Sequence, residues 1–224
     1  STGVECKNDM PAGSGRILLK DRAYEKLKVL ILDETFAPGT FLSERQLAAR
    51  LDMSKTPIRS ALERLETEGF VAVSPQQGIV VREPSLREIV DLFDIRIALE
   101  CFVVQSIAGR LNSEQIGRLQ ANLQPQAKAA KAEDIVECTR LDADFHLLLC
   151  EFLDNQEILQ VMRGLRDKLY RVVLGLMRTD SGRLLISYGE HEGIVEAVVE
   201  GHGKEAARRS KEHLEYGKRF LVTR

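Results

Sequence analysis

Apolar residues recur three and four positions apart through most of the chain, the spacing of helices with one buried face. From residue 84 onward the pattern runs on without a convincing strand. It predicts helices at roughly 85–109, 113–131, 133–152, 156–179, 184–200 and 204–221. Ser85 and Glu88 have capping-box spacing at the first of these, and Pro84 disfavours helix just before it. Pro125, inside the second helix, is expected to kink or split it. Earlier residues have a different texture. Short helical patterns give way to "FVAVSPQQGIVVRE" at 70–83. There the β-branched Val71, Val73, Ile79, Val80 and Val81 flank turn-forming residues, so a hairpin is expected. The pattern divides the chain into a flexible tail at 1–16, a mixed unit at 17–83 and an all-helical antiparallel bundle at 84–224. The fold class is mainly α.

The mixed unit has the layout of a winged helix-turn-helix whose hairpin is the wing. Ser43 and Gln46 open a helix with Leu47, Ala48 and Leu51 inward, and "DMS" at 52–54 breaks it. Ser54 is placed to cap the next helix, Pro57 is tolerated in its first turn, and Ile58, Ala61, Leu62 and Leu65 form its buried stripe. Such a second helix enters the DNA major groove by its N-terminal end. Ser54, Lys55 and Thr56, with Arg59 one turn further in, suit phosphates and base edges. Arg45 is placed for backbone contact, and Gln77-Gly78 at the wing tip lets backbone approach the minor groove.

Charge narrows this picture. The chain carries a formal net charge of −2, and residues 17–83 hold ten basic and ten acidic residues, so any nucleic-acid surface must be local. Residues 43–59 supply one, with Arg45, Arg50, Lys55 and Arg59 against Glu44 and Asp52. Spacing alone also allows a helical hairpin with a solvated charged face, or a winged helix that binds protein. The stretch "PGTFLSERQLAARLDMSKTPIRSALERLETEGFVAVSPQQGIVV" resembles the DNA-binding domain of the GntR family of bacterial transcription regulators. The resemblance runs through the Pro38-Gly39 turn, the Ser-Glu-Arg helix start, the Thr-Pro-Ile-Arg entry, the Leu-Glu-x-Glu-Gly helix end and the wing glycine. It implies DNA contacts at Arg45, Ser54, Lys55, Thr56, Pro57, Arg59, Gln77 and Gly78, made by a homodimer on a pseudo-palindromic double-stranded operator.

The helical unit carries all four histidines of the chain, His146, His191, His202 and His213. Asp142 and His146, in "DADFHLLL", stand four apart on one helical face. His191 and His213 each lie eleven residues from His202, in a "GHG" turn. If the flanking helices pack antiparallel, both sit about 16 Å from that turn at ~1.5 Å per residue. One carboxylate and three neutral imidazoles suit Zn foremost, then Ni, Mn, Fe or Co, and do not suit Ca or Mg. Four protein ligands close a tetrahedral site, whereas a larger coordination number leaves room for water or a carboxylate. Taken one by one, each histidine also reads as an ordinary hydrogen-bonded residue of a helix.

"LFDIRIALE", "DADFHLLLCEFLDNQEI" and "YGEHEGIVEAVVEGHGKEAARRSKEHL" resemble the FCD ligand-binding domain of the FadR-like branch of the same family. The resemblance places one divalent metal per chain on Asp142, His146, His191 and His213. His202 stands where an acidic loop residue is common, which touches no ligand position. Arg96, among Leu92, Phe93, Leu99 and Val103, reads either as a clamp for an effector carboxylate or as an i,i+4 ion pair to Glu100 on a partly exposed face. Asn155 is a second effector candidate, or the cap of the next helix.

The expected function is therefore a regulator whose operator affinity responds to a small carboxylate near a metal. A metalloenzyme-like bundle and a purely structural metal are the alternatives. Against an enzyme stand the DNA-reading unit and the lack of an evident general base. Cys6, Cys101, Cys138 and Cys150 form neither a zinc-finger nor a disulfide pattern, which fits a reducing cytoplasm. No apolar run approaches the ~20 residues of a membrane helix, and the N-terminus lacks the apolar core of a secretion signal.

Overall fold

A computed structural model describes residues 18–74 and 78–222. The tail expected at 1–16 and the wing residue Gln77 lie outside the described residues. The chain forms two compact units, residues 1–83 and 84–224.

In the first unit, α1 (Leu19–Leu32) packs on α3 (Lys55–Thr67), and α2 (Glu44–Leu51) leads into α3. Ala23, Tyr24, Leu27 and Ile31 of α1 meet Ile58, Ala61, Leu62 and Leu65 of α3 in one buried core. Asp52, at φ 51°, turns the chain out of α2, while Met53 N donates to Ala48 O at 3.0 Å. Gly69 ends α3 in a Schellman turn: its φ is 82°, its N–H donates to Glu66 O, and Phe70 N–H reaches back to Leu65 O. The hairpin then follows as β2 (Val71–Ser74) and β3 (Gly78–Val81). A two-residue strand, β1 (Phe41–Leu42), adds to the other edge of β3, giving an antiparallel sheet in the order β1-β3-β2. Val71, Ile79 and Val81 turn inward onto the helices.

Among the described residues the second unit has six helices: α4 (Leu86–Ile107), α5 (Ser113–Lys131), α6 (Ile135–Phe152), α7 (Gln156–Thr179), α8 (Arg183–Val199) and α9 (Gly203–Val222). Side chains cap four of their starts. Ser85–Glu88 and Asn112–Gln115 make reciprocal capping boxes, and Asp134 and Asn155 accept from Glu137 and Ile158. Pro125 does not split α5, which stays helical from Ser113 to Lys131. Packing of α5 against both α6 and α8 holds the helix across the missing N–H. α6 also packs on α7, α8 on α9, and α4 runs along α9. That last approach is close: a Cβ on Gly203 would lie 2.9 Å from the Gln105 carbonyl oxygen. Val103, Val104, Leu119, Phe145, Ile194 and Val198 fill the core beside the buried polar cluster described next.

Candidate metal centre and nucleic-acid interface

On the first unit, Arg45, Ser54, Lys55, Thr56 and Arg59 are all exposed around the starts of α2 and α3. The Ser54 hydroxyl does not cap its own helix, so the expected capping bond is not made. Pro57 departs from its expected role. The residue is buried, because the first turn of α3 directs it inward beside Ile58, so it shapes the helix entry and leaves little surface for DNA. Gly78 is exposed at the start of β3 with φ 84°, a conformation that favours glycine. A feature absent from the sequence reading joins the two helices. Arg59 donates Nε to Glu44 Oε1 at 3.1 Å and Nη2 to Glu44 Oε2 at 3.0 Å.

In the second unit, Asp142 and His146 from α6, His191 from α8 and His213 from α9 converge, all buried. One ligand atom from each lies within 4.8 Å of the others. Asp142 Oδ1 is 3.8 Å from His146 Nε2 and 3.5 Å from His191 Nε2, and the Nε2 atoms of His191 and His213 are 3.3 Å apart. His202 stays outside, exposed in the turn beside Glu200.

Each imidazole is oriented from behind through Nδ1. His146 Nδ1 lies 2.5 Å from Glu100 Oε2, His213 Nδ1 lies 2.6 Å from Glu190 Oε2, and His191 Nδ1 lies 2.8 Å from Gln126 Oε1. An ionised carboxylate can only accept, so Nδ1 of His146 and His213 carries a proton, and in the neutral ring the lone pair is on Nε2. The third case follows from a longer chain of bonds. Gln126 Nε2 donates to Asn122 Oδ1, whose amide donates to Leu141 O, which fixes Gln126 Oε1 as the acceptor for His191. The acceptors are held in turn. Arg96 Nε donates to Glu100 Oε1 at 2.7 Å, and both Nη groups of Arg183 donate to Glu190. Phe145 stacks on the His191 ring at 4.1 Å.

The protonation pattern follows from these neighbours. Burial opposes ionisation of Glu100, but Arg96 and His146 overcome it and bring its pKa down to about 2. Burial likewise opposes ionisation of Asp142, and His146, His191 and Arg96 hold it well below the usual carboxylate range. Burial, then the neighbouring His213, pushes His191 well below an ordinary imidazole, and burial also lowers His213. Burial and Arg96 pull His146 down, yet Glu100 and Asp142 raise it on balance. His146 Nε2 is nevertheless buried without any hydrogen-bond partner. A divalent ion fits these residues: an anionic oxygen and three imidazole nitrogens share one small space, and one nitrogen is stranded there.

Arg96 is 3% exposed, so the ion pair to Glu100 exists but not on a partly exposed face. Its guanidinium also lines a cleft between α6 and α7 that opens to solvent, with about 350 Å³ of unfilled space counting that open part, and with Asp142 and His146 alongside. The walls are Ala143, Leu147, Met162, Leu169 and Val173, with Arg166 and Tyr170 also lining the cleft. A second partly open pocket, with about 290 Å³ of unfilled space counting its open part, reaches the cluster past Phe93, Ser187 and His213, and the buried Ser187 hydroxyl has no partner. Asn155 lines neither cavity. Exposed at the start of α7, it spends its side chain on the cap, which corrects its expected role beside an effector.

A winged helix-turn-helix joined to a helical bundle with a buried Asp/His cluster is the architecture of a DNA-binding transcription regulator. Residues 19–81 match the model for bacterial regulatory proteins of the gntR family, and residues 91–216 match the FCD domain. The chain belongs to the GntR family of transcription regulators and carries an FCD domain, and its function is DNA-binding transcription regulation rather than catalysis. It is 29% identical to the HTH-type transcriptional regulator YdhC of Bacillus subtilis over 192 residues, 85% of this chain and 84% of that one. With the transcriptional repressor RspR of Escherichia coli K12 it shares 27% over 198 residues, 88% of this chain and 86% of that one. A solved GntR regulator from Rhodococcus sp. RHA1 superposes with a TM-score of 0.80 at 25% identity, covering 91% of this chain and 97% of the other. Among the described residues, no helix is long and apolar enough to cross a membrane.

Proposed function

We propose that the protein reads a pseudo-palindromic operator as a cytoplasmic homodimer, and that a small carboxylate seated beside a divalent transition ion changes its operator affinity. The observation that carries this reading is the orientation of the three rings: each Nδ1 is engaged from behind, and one ligand atom from each ring and from Asp142 gathers at one point. Asp142, His146, His191 and His213 hold the ion, which supplies a positive charge for an acidic ligand. Glu100, Glu190 and Gln126 fix the ring orientations.

Charge accounting favours an anionic effector. Asp142, Glu100 and Glu190 face Arg96 and Arg183, which leaves one negative charge when the imidazoles are neutral. A divalent ion converts that to one positive charge, and one carboxylate cancels it. Arg96, which lines the cleft, is the second contact for that carboxylate. The mainly apolar walls favour an acid with an apolar body over a polyhydroxy acid, whose hydroxyls would be buried there with few partners.

The dimer surface in this reading is α4. Ile95, Ala98 and Phe102 form an exposed apolar stripe at helical spacing, with Phe102 55% exposed. The test of the sensing claim is a thermal-shift titration of metal-loaded protein with butyrate, isovalerate, benzoate, succinate and gluconate. A ligand that binds only the folded state raises the melting temperature. The apolar monocarboxylates should raise it most. A larger shift with gluconate overturns the apolar-body reading, and no shift with any of these acids counts against a small-carboxylate effector.

A further inference from the structure

We infer that Glu44 is a positioning residue for sequence readout, holding the Arg59 guanidinium so that its outer edge faces a guanine. The inference rests on the reading of α3 as the recognition helix with Arg59 at a base edge. It is independent of the metal centre.

A guanidinium has two edges able to donate a pair of parallel hydrogen bonds. One is formed by Nε and Nη2, the other by Nη1 and Nη2. In the structure Glu44 occupies the first edge with both carboxylate oxygens, at 3.1 and 3.0 Å. The second edge makes no contact with Glu44, and it is the edge that can meet guanine O6 and N7 together. Arg59 remains 63% exposed while paired, so the fork does not bury the group it holds.

The placement of Glu44 explains why it can do this. It is the first residue of α2, after the capping Ser43, and α2 and α3 pack against each other, so its carboxylate reaches the exposed face of α3. The hydrogen bonds from Arg59 hold its carboxyl below the usual carboxylate range, the nearby Lys55 adds to this, and its place at the positive end of the α2 dipole favours the same ionised form. An unpaired arginine on an exposed helix samples many rotamers and loses that freedom on binding. A fork to a carboxylate fixed on a neighbouring helix removes part of that loss beforehand. It also places a negative charge near the phosphates, which weakens binding to DNA of any sequence. Both effects raise the ratio of specific to non-specific binding.

The test begins with selection of randomised double-stranded DNA by the full-length wild-type protein, which supplies an operator probe. Wild type, Glu44→Gln, Arg59→Ala and the double variant are then titrated by fluorescence anisotropy. The targets are this probe, probes with each G·C pair of a half-site replaced, and random DNA. Arg59→Ala is expected to lose about tenfold or more of the discrimination at one guanine. Glu44→Gln should lose part of the discrimination at that same base pair, by about threefold or more, while binding random DNA more tightly. In the Arg59→Ala background, Glu44→Gln should change nothing further at that pair. Intact guanine discrimination in Glu44→Gln overturns the inference and leaves Arg59 as a reader. Discrimination lost at a different base pair makes Glu44 a direct reader and overturns it as well. Weaker binding to every DNA, with a lowered melting temperature, would show plain structural damage and overturn it too. If Arg59→Ala has no base-specific effect, the underlying reading of Arg59 fails instead.

Discussion

Replacing Glu100 by glutamine tests how the second unit holds its polar cluster. The carboxylate accepts from Arg96 Nε at 2.7 Å on one oxygen and from His146 Nδ1 at 2.5 Å on the other. Glutamine has nearly the same shape but a single acceptor oxygen, so one of the two donors must face an amide N–H₂. Either arrangement strands a buried donor, and Arg96, 3% exposed, loses its partner charge. Breaking a buried pair from one side costs about 3–5 kcal/mol, and altering the group behind a metal-ligating imidazole costs about 10–100-fold in metal affinity. Urea unfolding of the chelated protein reads the first effect, and competition with a chromogenic chelator reads the second. The charge also has a pH signature. Glu100 is held at about 2 against an ordinary 4.5. Its stabilising contribution is therefore complete above about pH 4.5 and is lost as pH falls towards 2, and that part of the acid sensitivity should vanish in the variant. Unchanged stability without metal, together with metal affinity within twofold of wild type, would refute this assignment.

Further expectations follow from single contacts. Arg96→Ala should keep operator binding but weaken the effect of an apolar carboxylate by about ten- to hundredfold, since a charge-assisted bond is worth about 1.5–3 kcal/mol; an unchanged thermal-shift titration would leave Arg96 as the ion-pair partner of Glu100 alone. Phe102→Asp, on the exposed face of α4, should shift the protein to monomer in sedimentation velocity, and a persistent dimer would place the interface elsewhere. Gly203→Ala puts a Cβ 2.9 Å from the Gln105 carbonyl oxygen, so overpacking of about 1–3 kcal/mol is expected in chemical denaturation; a neutral effect would mean that α4 and α9 separate easily.

Helical periodicity made the bundle legible, because each helix buries one face and several declare their starts with a cap such as Ser85–Glu88. The Asp142–His146 pair and the placement of His191 and His213 on either side of Gly201–Gly203 brought the four clustered residues into view, since helix geometry converts those spacings into one face and one height. The groups behind them did not show. Glu190 adjoins His191 in sequence but serves His213, and Gln126 reaches His191 from α5. Such partnerships depend on which helices lie side by side, which local pattern does not encode. Pro125 misled for a related reason, since packing on two sides overrode its local preference. The two-residue β1 is too short to leave an alternation, and the inward turn of Pro57 is set by the core beneath α3. The Glu44–Arg59 fork joins residues fifteen apart across a helix-turn-helix, a contact visible only once the two helices are packed.

The most direct test of the metal centre is calorimetric titration of Zn²⁺ into protein freed of metal by chelation, run in parallel on wild type, His191→Ala and His202→Ala. His191 is fully buried at the convergence point, while His202 is exposed in a turn beside Glu200. Wild type and His202→Ala should each take up about one ion per chain with a rise in melting temperature, as expected where binding contributes to folding, and His191→Ala should bind at least about tenfold more weakly. No saturable uptake by wild type, or equal uptake by His191→Ala and His202→Ala, would contradict a metal centre at this cluster.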